Sequence, residues 1–252
     1  MKRNNNTLTS IALGALLMNA IPCAFSEDNA GSDAGAVRYL RENTEWCDAR
    51  ILDTTKTNLP HVLLVGDSIT QGYYPLVEKR LAGKAYCGRL TTSACVADPA
   101  FLKQLEAFLV GYKLAVVHIN NGLHGWPYTD AEYKAGYEKT LELIKRLQPD
   151  AKVIVALTTP LKPGSEKEHL TPQVDARNKI ATELAAKYGA EINDLYAVSK
   201  GHPEYYSDPY HHNAGATALQ SEKVTAAVLG YLIDKSTAGE RIRHEDDKRN
   251  RQ

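Results

Sequence analysis

Short apolar runs and longer amphipathic stretches take turns along this chain. Residues 62–65, Leu114–Ile119 and 152–157 are runs rich in β-branched and aliphatic side chains, the pattern of buried strands, and 85–90 reads as the second strand between the first two of them. Glu191-Ile192-Asn193 reads as a shorter fifth strand. The stretches between them repeat at helical spacing. One follows Ser68 and runs to about Leu81. Another spans 99–110, with Phe101, Leu105, Phe108 and Leu109 on one face. A third is capped by Thr129 and carries Tyr137, Leu141, Ile144 and Leu147 on one side. Residues 174–188 and 214–233 complete the set. Strands alternating with helices predict an α/β domain, a three-layer α/β/α sandwich on a mostly parallel, flavodoxin-like, five-stranded sheet.

The two ends depart from this pattern. Lys2 and Arg3 precede a mostly apolar stretch, 11–21, and Ala24-Phe25-Ser26 has the small-x-small form of a cleavage site. Residues 1–26 are therefore expected to be a signal peptide, too short in its apolar part to remain as a membrane span. The expected location is secreted or periplasmic. Lipid attachment at Cys23 is the lesser alternative, because Pro22 sits where a small residue is wanted. Residues 27–58 read as an N-terminal extension, 59–234 as the folded domain and 235–252 as a charged, flexible tail.

Composition narrows the classes. The chain has 252 residues, 43% hydrophobic and 24% charged, enough for one domain with its own core. Lys plus Arg and Asp plus Glu both number 30, so the formal net charge is zero. That argues against a nucleic-acid partner or an anionic membrane surface. Export implies an oxidising compartment, where Cys47, Cys87 and Cys95 allow at most one internal bridge, its connectivity open.

The candidate chemistry begins at Gly66-Asp67-Ser68-Ile69-Thr70, directly after the first strand. Gly66 permits a sharp turn, and Ser68 falls where a helix starts, at the mouth of a parallel sheet. Unpaired N–H groups and the positive end of the helix dipole lie there. A serine in that place also serves as a plain helix cap. A nucleophile needs a base, and Asp208-Pro209-Tyr210-His211 offers one: Asp208 can fix the tautomer of His211, leaving Nε2 to take a proton from Ser68. His212 follows, but the spacing to Asp208 favours His211.

From about residue 59 to about residue 232, these motifs resemble the SGNH hydrolases, also called GDSL-like esterases and lipases. The resemblance implies Ser68 as nucleophile, His211 as base and Asp208 as the third member. It implies an oxyanion hole from the N–H of Ser68, an N–H after the second strand and an asparagine amide after the third. Two of these blocks depart from the family's form. Thr91-Thr92-Ser93 has no glycine, so Ser93 or Thr92 would supply the second N–H, with Ser93 preferred. Asn120-Asn121-Gly122 replaces Gly-x-Asn-Asp, so Asn120 or Asn121 would be the side-chain donor, with Asn121 preferred. Asp67 is expected to bond backbone N–H groups around the turn.

The expected reaction is hydrolysis of a carboxylic ester through an acyl-enzyme, with no metal and no organic cofactor. Trp126, Tyr128 and Tyr206 are candidate substrate-binding residues, as aromatic faces suit sugar rings. A small-ester or carbohydrate O-acetyl esterase is the preferred class. Two alternatives stay open: a metal-dependent hydrolase using His202, His211, His212 and Asp208, and a non-catalytic glycan-binding module. His118 reads as a core residue and His124 as part of the site-side loop.

Overall fold

The structure is a computed structural model that describes residues 38–249, with side chains described through residue 233. The signal-peptide residues and Cys23 lie outside the described residues. Twelve elements follow in order: β1 (Cys47–Arg50), β2 (His61–Gly66), α1 (Ser68–Leu81), β3 (Tyr86–Thr92), α2 (Pro99–Leu109), β4 (Leu114–Ile119), α3 (Asp130–Leu147), β5 (Lys152–Ala156), α4 (Thr171–Tyr188), β6 (Glu191–Asn193), α5 (Tyr196–Ser199) and α6 (Ala214–Arg249).

One sheet carries the fold, in the order β1-β3-β2-β4-β5-β6. The five strands from β3 to β6 are parallel, in the flavodoxin-like order. Alternation along β2 divides the core. Leu63 and Val65 face a cluster with Phe101, Leu105, Tyr137, Ile144 and Leu184, built by α2, α3 and α4. Val62 and Leu64 face Tyr73, Val77, Val224 and Val228, from α1 and α6. This is the three-layer sandwich that the periodicity predicts.

The sheet has six strands rather than five. The extra one, β1, comes from the stretch 27–58 and pairs antiparallel with β3 from Cys47↔Thr92 to Arg50↔Arg89. Its four residues, Cys-Asp-Ala-Arg, alternate but are few and include no β-branched or aromatic side chain, so they give no readable strand signal. Ladder bonds, the Asp48–Arg89 ion pair at 2.6 Å and Gly88 hold it in place. A Cβ on Gly88 would lie 3.0 Å from the Arg50 carbonyl. The closing helix also runs longer than its apolar spacing, continuing as backbone helix through the polar stretch to Arg249.

Among the described residues no helix is long and apolar enough to cross a membrane. Cys47, Cys87 and Cys95 are all free thiols. Cys87 and Cys95 sit in the clusters on opposite faces of the sheet, so they cannot meet. Burial pushes the Cys87 thiol up to about 12.

Candidate active site

The serine turn is built by sterics and by one cap. β2 ends at Gly66, where a Cβ would fall 2.0 Å from Thr70 Oγ1. Asp67 then takes the N-cap: its extended backbone starts α1 and its Oδ1 accepts the Ile69 N–H at 2.9 Å. The capping task thus falls to Asp67, and the Ser68 hydroxyl is free for another partner. That partner is His211, whose Nε2 lies 2.8 Å from Ser68 Oγ. On the far side of the ring, Nδ1 lies 2.7 Å from Asp208 Oδ2.

Asp208 is fixed in turn. Its Oδ1 accepts the N–H groups of Tyr210 and His211, both at 2.8 Å. Partial burial pushes its carboxyl up, but these two N–H bonds and His211 outweigh that and hold it below the ordinary carboxylate range. An ionised Asp208 accepts from Nδ1–H, which leaves Nε2 the acceptor for the serine proton. The loop is pinned by the Ser207 N–H to the His211 carbonyl at 2.9 Å and by the Tyr206↔His212 bridge.

His212 has a different environment. Nε2 is 2.7 Å from Ser199 Oγ, Nδ1 is 3.2 Å from Gln220 Nε2, and the ring packs 4.5 Å from Tyr206. Burial first, then the neighbouring His211, pushes its pKa down to about 4. His202 is occupied with Glu204 and stacks on Tyr205. Of the four residues weighed as metal ligands, Asp208 and His211 bond each other while His202 and His212 are held elsewhere, and among the described residues no group of three or more His, Cys, Asp or Glu is placed to hold an ion.

Ser68 and His211 open into a cleft of about 900 Å³. Trp126 and Tyr210 line it, and so does the stretch from Leu40 to Asp48. The extension, read from sequence as lying outside the domain, is one wall of the site. Two expected substrate contacts are corrected. Tyr128 is 3% exposed, and its hydroxyl accepts the Leu40 N–H and donates to the Arg38 carbonyl, each at 3.1 Å. Tyr206 is 6% exposed and donates to the Pro160 carbonyl at 2.8 Å. Both hydroxyls anchor backbone, and neither residue lines the cleft.

Two of the three expected oxyanion donors are corrected as well. The Ser93 N–H donates to the Trp46 carbonyl at 3.1 Å, and the Ser93 hydroxyl is bound to Glu45 and Trp46. The Asn121 amide is buried. Its Nδ2 donates to the Ala94 carbonyl and its Oδ1 accepts the Val96 N–H, both at 3.1 Å, so it ties two loops together. Asn120, the alternative, donates to the Ala156 carbonyl at 3.0 Å. None of the three residues lines the cleft. The Ser68 N–H remains, at the first position of α1, where a helix offers no internal acceptor.

A second histidine–carboxylate pair does line the cleft. His124 Nδ1 lies 3.0 Å from Glu42 Oε2, and Glu42 Oε1 accepts the Gly125 N–H at 3.1 Å. Gly125 has φ of +64°, and a Cβ there would fall 2.5 Å from that of Cys95. Beneath this turn lies Arg177, fully buried, donating to the carbonyls of Gly122, His124 and Gly125 at 2.8–2.9 Å. Its guanidinium sits over the rings of Trp126 and Tyr133. The one sequence signal for this corner is His124 next to a glycine in the site-side loop; nothing marks Glu42 as its partner.

A serine at the C-terminal end of the first parallel strand, bonded to a histidine before the last helix, is the arrangement that the SGNH resemblance implies. The chain belongs to the GDSL-like lipase/acylhydrolase family, whose model matches residues 64–218. Solved structures agree on the fold. A GDSL-like lipase from Bacteroides thetaiotaomicron is 16% identical with a TM-score of 0.57, the match covering 68% of this chain and 88% of the other. An acetyl xylan esterase is 16% identical with a TM-score of 0.54, covering 67% and 99%. No curated protein matches the sequence.

Proposed function

We propose that this protein is an exported serine esterase acting on small esters, with O-acetyl groups on carbohydrate as its substrate class. The observation that carries this reading is the continuous chain from Ser68 Oγ through His211 to Asp208, at 2.8 and 2.7 Å. Ser68 Oγ attacks the ester carbonyl while His211 Nε2 takes its proton, and Asp208 stabilises the imidazolium. His211 then protonates the departing alcohol. An acyl-enzyme remains on Ser68, and water activated by His211 releases the acid. No metal or organic cofactor enters these steps.

The sugar part of the reading rests on Trp126 and Tyr210, aromatic faces lining an open cleft, and on the acetyl xylan esterase among the structures that share the fold. Export rests on the N-terminal sequence pattern. A glycan-binding module without turnover is the second reading, favoured by the occupied Ser93 N–H and Asn121 amide.

The test is hydrolysis of p-nitrophenyl acetate by wild type and Ser68→Ala, with and without EDTA. The expected result is an active wild type, indifference to EDTA and a loss of roughly a thousandfold or more in the variant. An inactive wild type favours the binding module. A variant that keeps the rate removes Ser68 from the chemistry.

A further inference from the structure

The corner that Glu42 and His124 form has a shape the ester reaction can use. The oxyanion formed on attack needs N–H donors that are in place beforehand. Here the Ser93 N–H donates to Trp46 and an N–H of the Asn121 amide to Ala94, and neither residue lines the cleft; the Ser68 N–H lies at the helix start, where a helix has no internal acceptor. His124 lines the cleft with Ser68. Its Nδ1 is held by Glu42, so the ring orientation is set, and its Nε2 has no partner among the described residues. Its backbone carbonyl is gripped by Arg177. A Trp46 ring edge packs against it at 6.3 Å.

We infer that His124, clamped by Glu42, is a catalytic residue of the proposed esterase, donating a charge-assisted N–H bond from Nε2 to the oxyanion in place of the donors that Ser93 and Asn121 do not provide. It acts without transferring a proton. As the Ser68 Oγ–carbon bond forms, the carbonyl electron pair moves onto oxygen, His211 takes the serine proton, and the Nε2–H of His124 stays on nitrogen.

The surroundings favour the imidazolium. Burial opposes the charge on His124, but the bond to Glu42 and the nearby Asp67 and Glu45 outweigh burial and raise its pKa above the ordinary value. Burial of Glu42 acts against its own charge, and the bond and charge of His124 and the Gly125 N–H outweigh it, so its carboxyl lies low. Asp67 comes from the turn before α1, Glu42 and Glu45 from the extension, and Arg177 from α4. Three carboxylates thus act on this ring, Glu42 by contact and Asp67 and Glu45 by charge, while the guanidinium is turned to backbone carbonyls.

This inference rests on the proposed ester hydrolysis, and one set of measurements separates the two. The kcat and KM for p-nitrophenyl acetate are measured across pH for wild type, Ser68→Ala, His124→Ala, His124→Gln and Glu42→Gln, with thermal unfolding of each. The expected result is a loss in kcat of roughly a hundredfold for His124→Ala at little change in KM. Gln keeps a neutral donor and should restore about tenfold of it while abolishing the alkaline limb of the rate profile. Glu42→Gln, which keeps the acceptor for Gly125, should move that limb to lower pH. If Ser68→Ala is inactive while His124→Ala retains kcat, or changes KM alone, His124 is not an oxyanion donor and the esterase reading survives. If the alkaline limb stays put in Glu42→Gln, the inference is likewise overturned. If Ser68→Ala keeps the wild-type rate, both fall. A His124→Ala protein that unfolds early is judged by the two Gln variants.

Discussion

Two histidine–carboxylate pairs bring their imidazoles to one cleft, and they are built in opposite ways. Asp208 and His211 are three residues apart, in a single turn whose own N–H groups orient the carboxylate. Glu42 and His124 are 82 residues apart, brought together by an antiparallel edge strand, a glycine turn and a buried arginine. The first pair is local and needs little from the rest of the fold. The second exists only once the sheet is assembled with the extension laid across it. A local pair tolerates disturbance elsewhere; a pair built by tertiary contacts reports on it.

The largest break is made in the local pair. Asp208→Asn keeps an acceptor for Tyr210 and His211 but favours the wrong tautomer, with Nδ1 turned into the acceptor. The expected loss in kcat on p-nitrophenyl acetate is on the order of ten-thousandfold, with thermal stability close to wild type. A loss below about tenfold would show that Asp208 does not orient the base.

That contrast also explains what the sequence disclosed. The parallel strands were legible because both their faces are buried, so 62–65 and Leu114–Ile119 read as apolar runs. The start of α3 was legible because Thr129 and Glu132 form a capping box within four residues. Asp208 and His211 were legible for the same reason of nearness. β1 was not, because Cys-Asp-Ala-Arg lies half exposed at an edge and is held by Arg89 and Gly88 across the sheet. Ser93 and Asn121 have the right residue types in the right loops. What takes their donors is Trp46 and Ala94, and no local pattern announces that. Tyr128 and Tyr206 show the same limit: a loop tyrosine reads alike whether its ring lines a cleft or its hydroxyl anchors backbone.

The next break falls on the assembled pair. Arg177→Met removes three hydrogen bonds from a fully buried group and leaves the carbonyls of Gly122, His124 and Gly125 without their donor. Leaving buried acceptors unpaired costs about 3 kcal/mol or more in all. Urea unfolding should read this directly. The residual activity of the folded fraction should fall at alkaline pH first, as the turn bearing His124 loosens, while the Asp208–His211 geometry stays. A variant as stable as wild type would mean that the turn holds itself.

Acid titration separates buried neutral imidazoles from the charged pair. Burial pushes both His118 and His212 down to about 4, from an ordinary value near 6.5. Between these values the unfolded chain binds protons that the folded chain refuses. Their contribution is therefore fully present above about pH 6.5 and is lost as pH falls towards 4. At roughly 1.4 kcal/mol per pKa unit, each is worth about 3 kcal/mol at neutral pH. His124 has the opposite sign. Its raised pKa stabilises the fold below the ordinary histidine value, and that contribution fades as pH rises through the folded one. Urea midpoints measured from pH 4 to 9 should climb to a maximum near neutrality and then decline. His212→Gln should flatten the acid side, and His124→Gln should remove the alkaline decline.

The smallest effect is the most discriminating. Tyr128 lies outside the cleft, yet its hydroxyl accepts the Leu40 N–H and donates to the Arg38 carbonyl, tethering the chain just before Glu42. Tyr128→Phe deletes both bonds and leaves the ring packing intact. The expected cost is about 1 kcal/mol, a fall of roughly 2–4 °C in Tm. Loosening this tether acts on Glu42 and not on Asp208, which are held by different elements. The rate should therefore fall by about two- to fivefold, mostly on the alkaline side where the imidazolium of His124 is hardest to keep. An equal loss at every pH would mean that the extension acts on Ser68 and His211 as a whole. No loss at all would mean that Glu42 finds His124 without help from the strand before it.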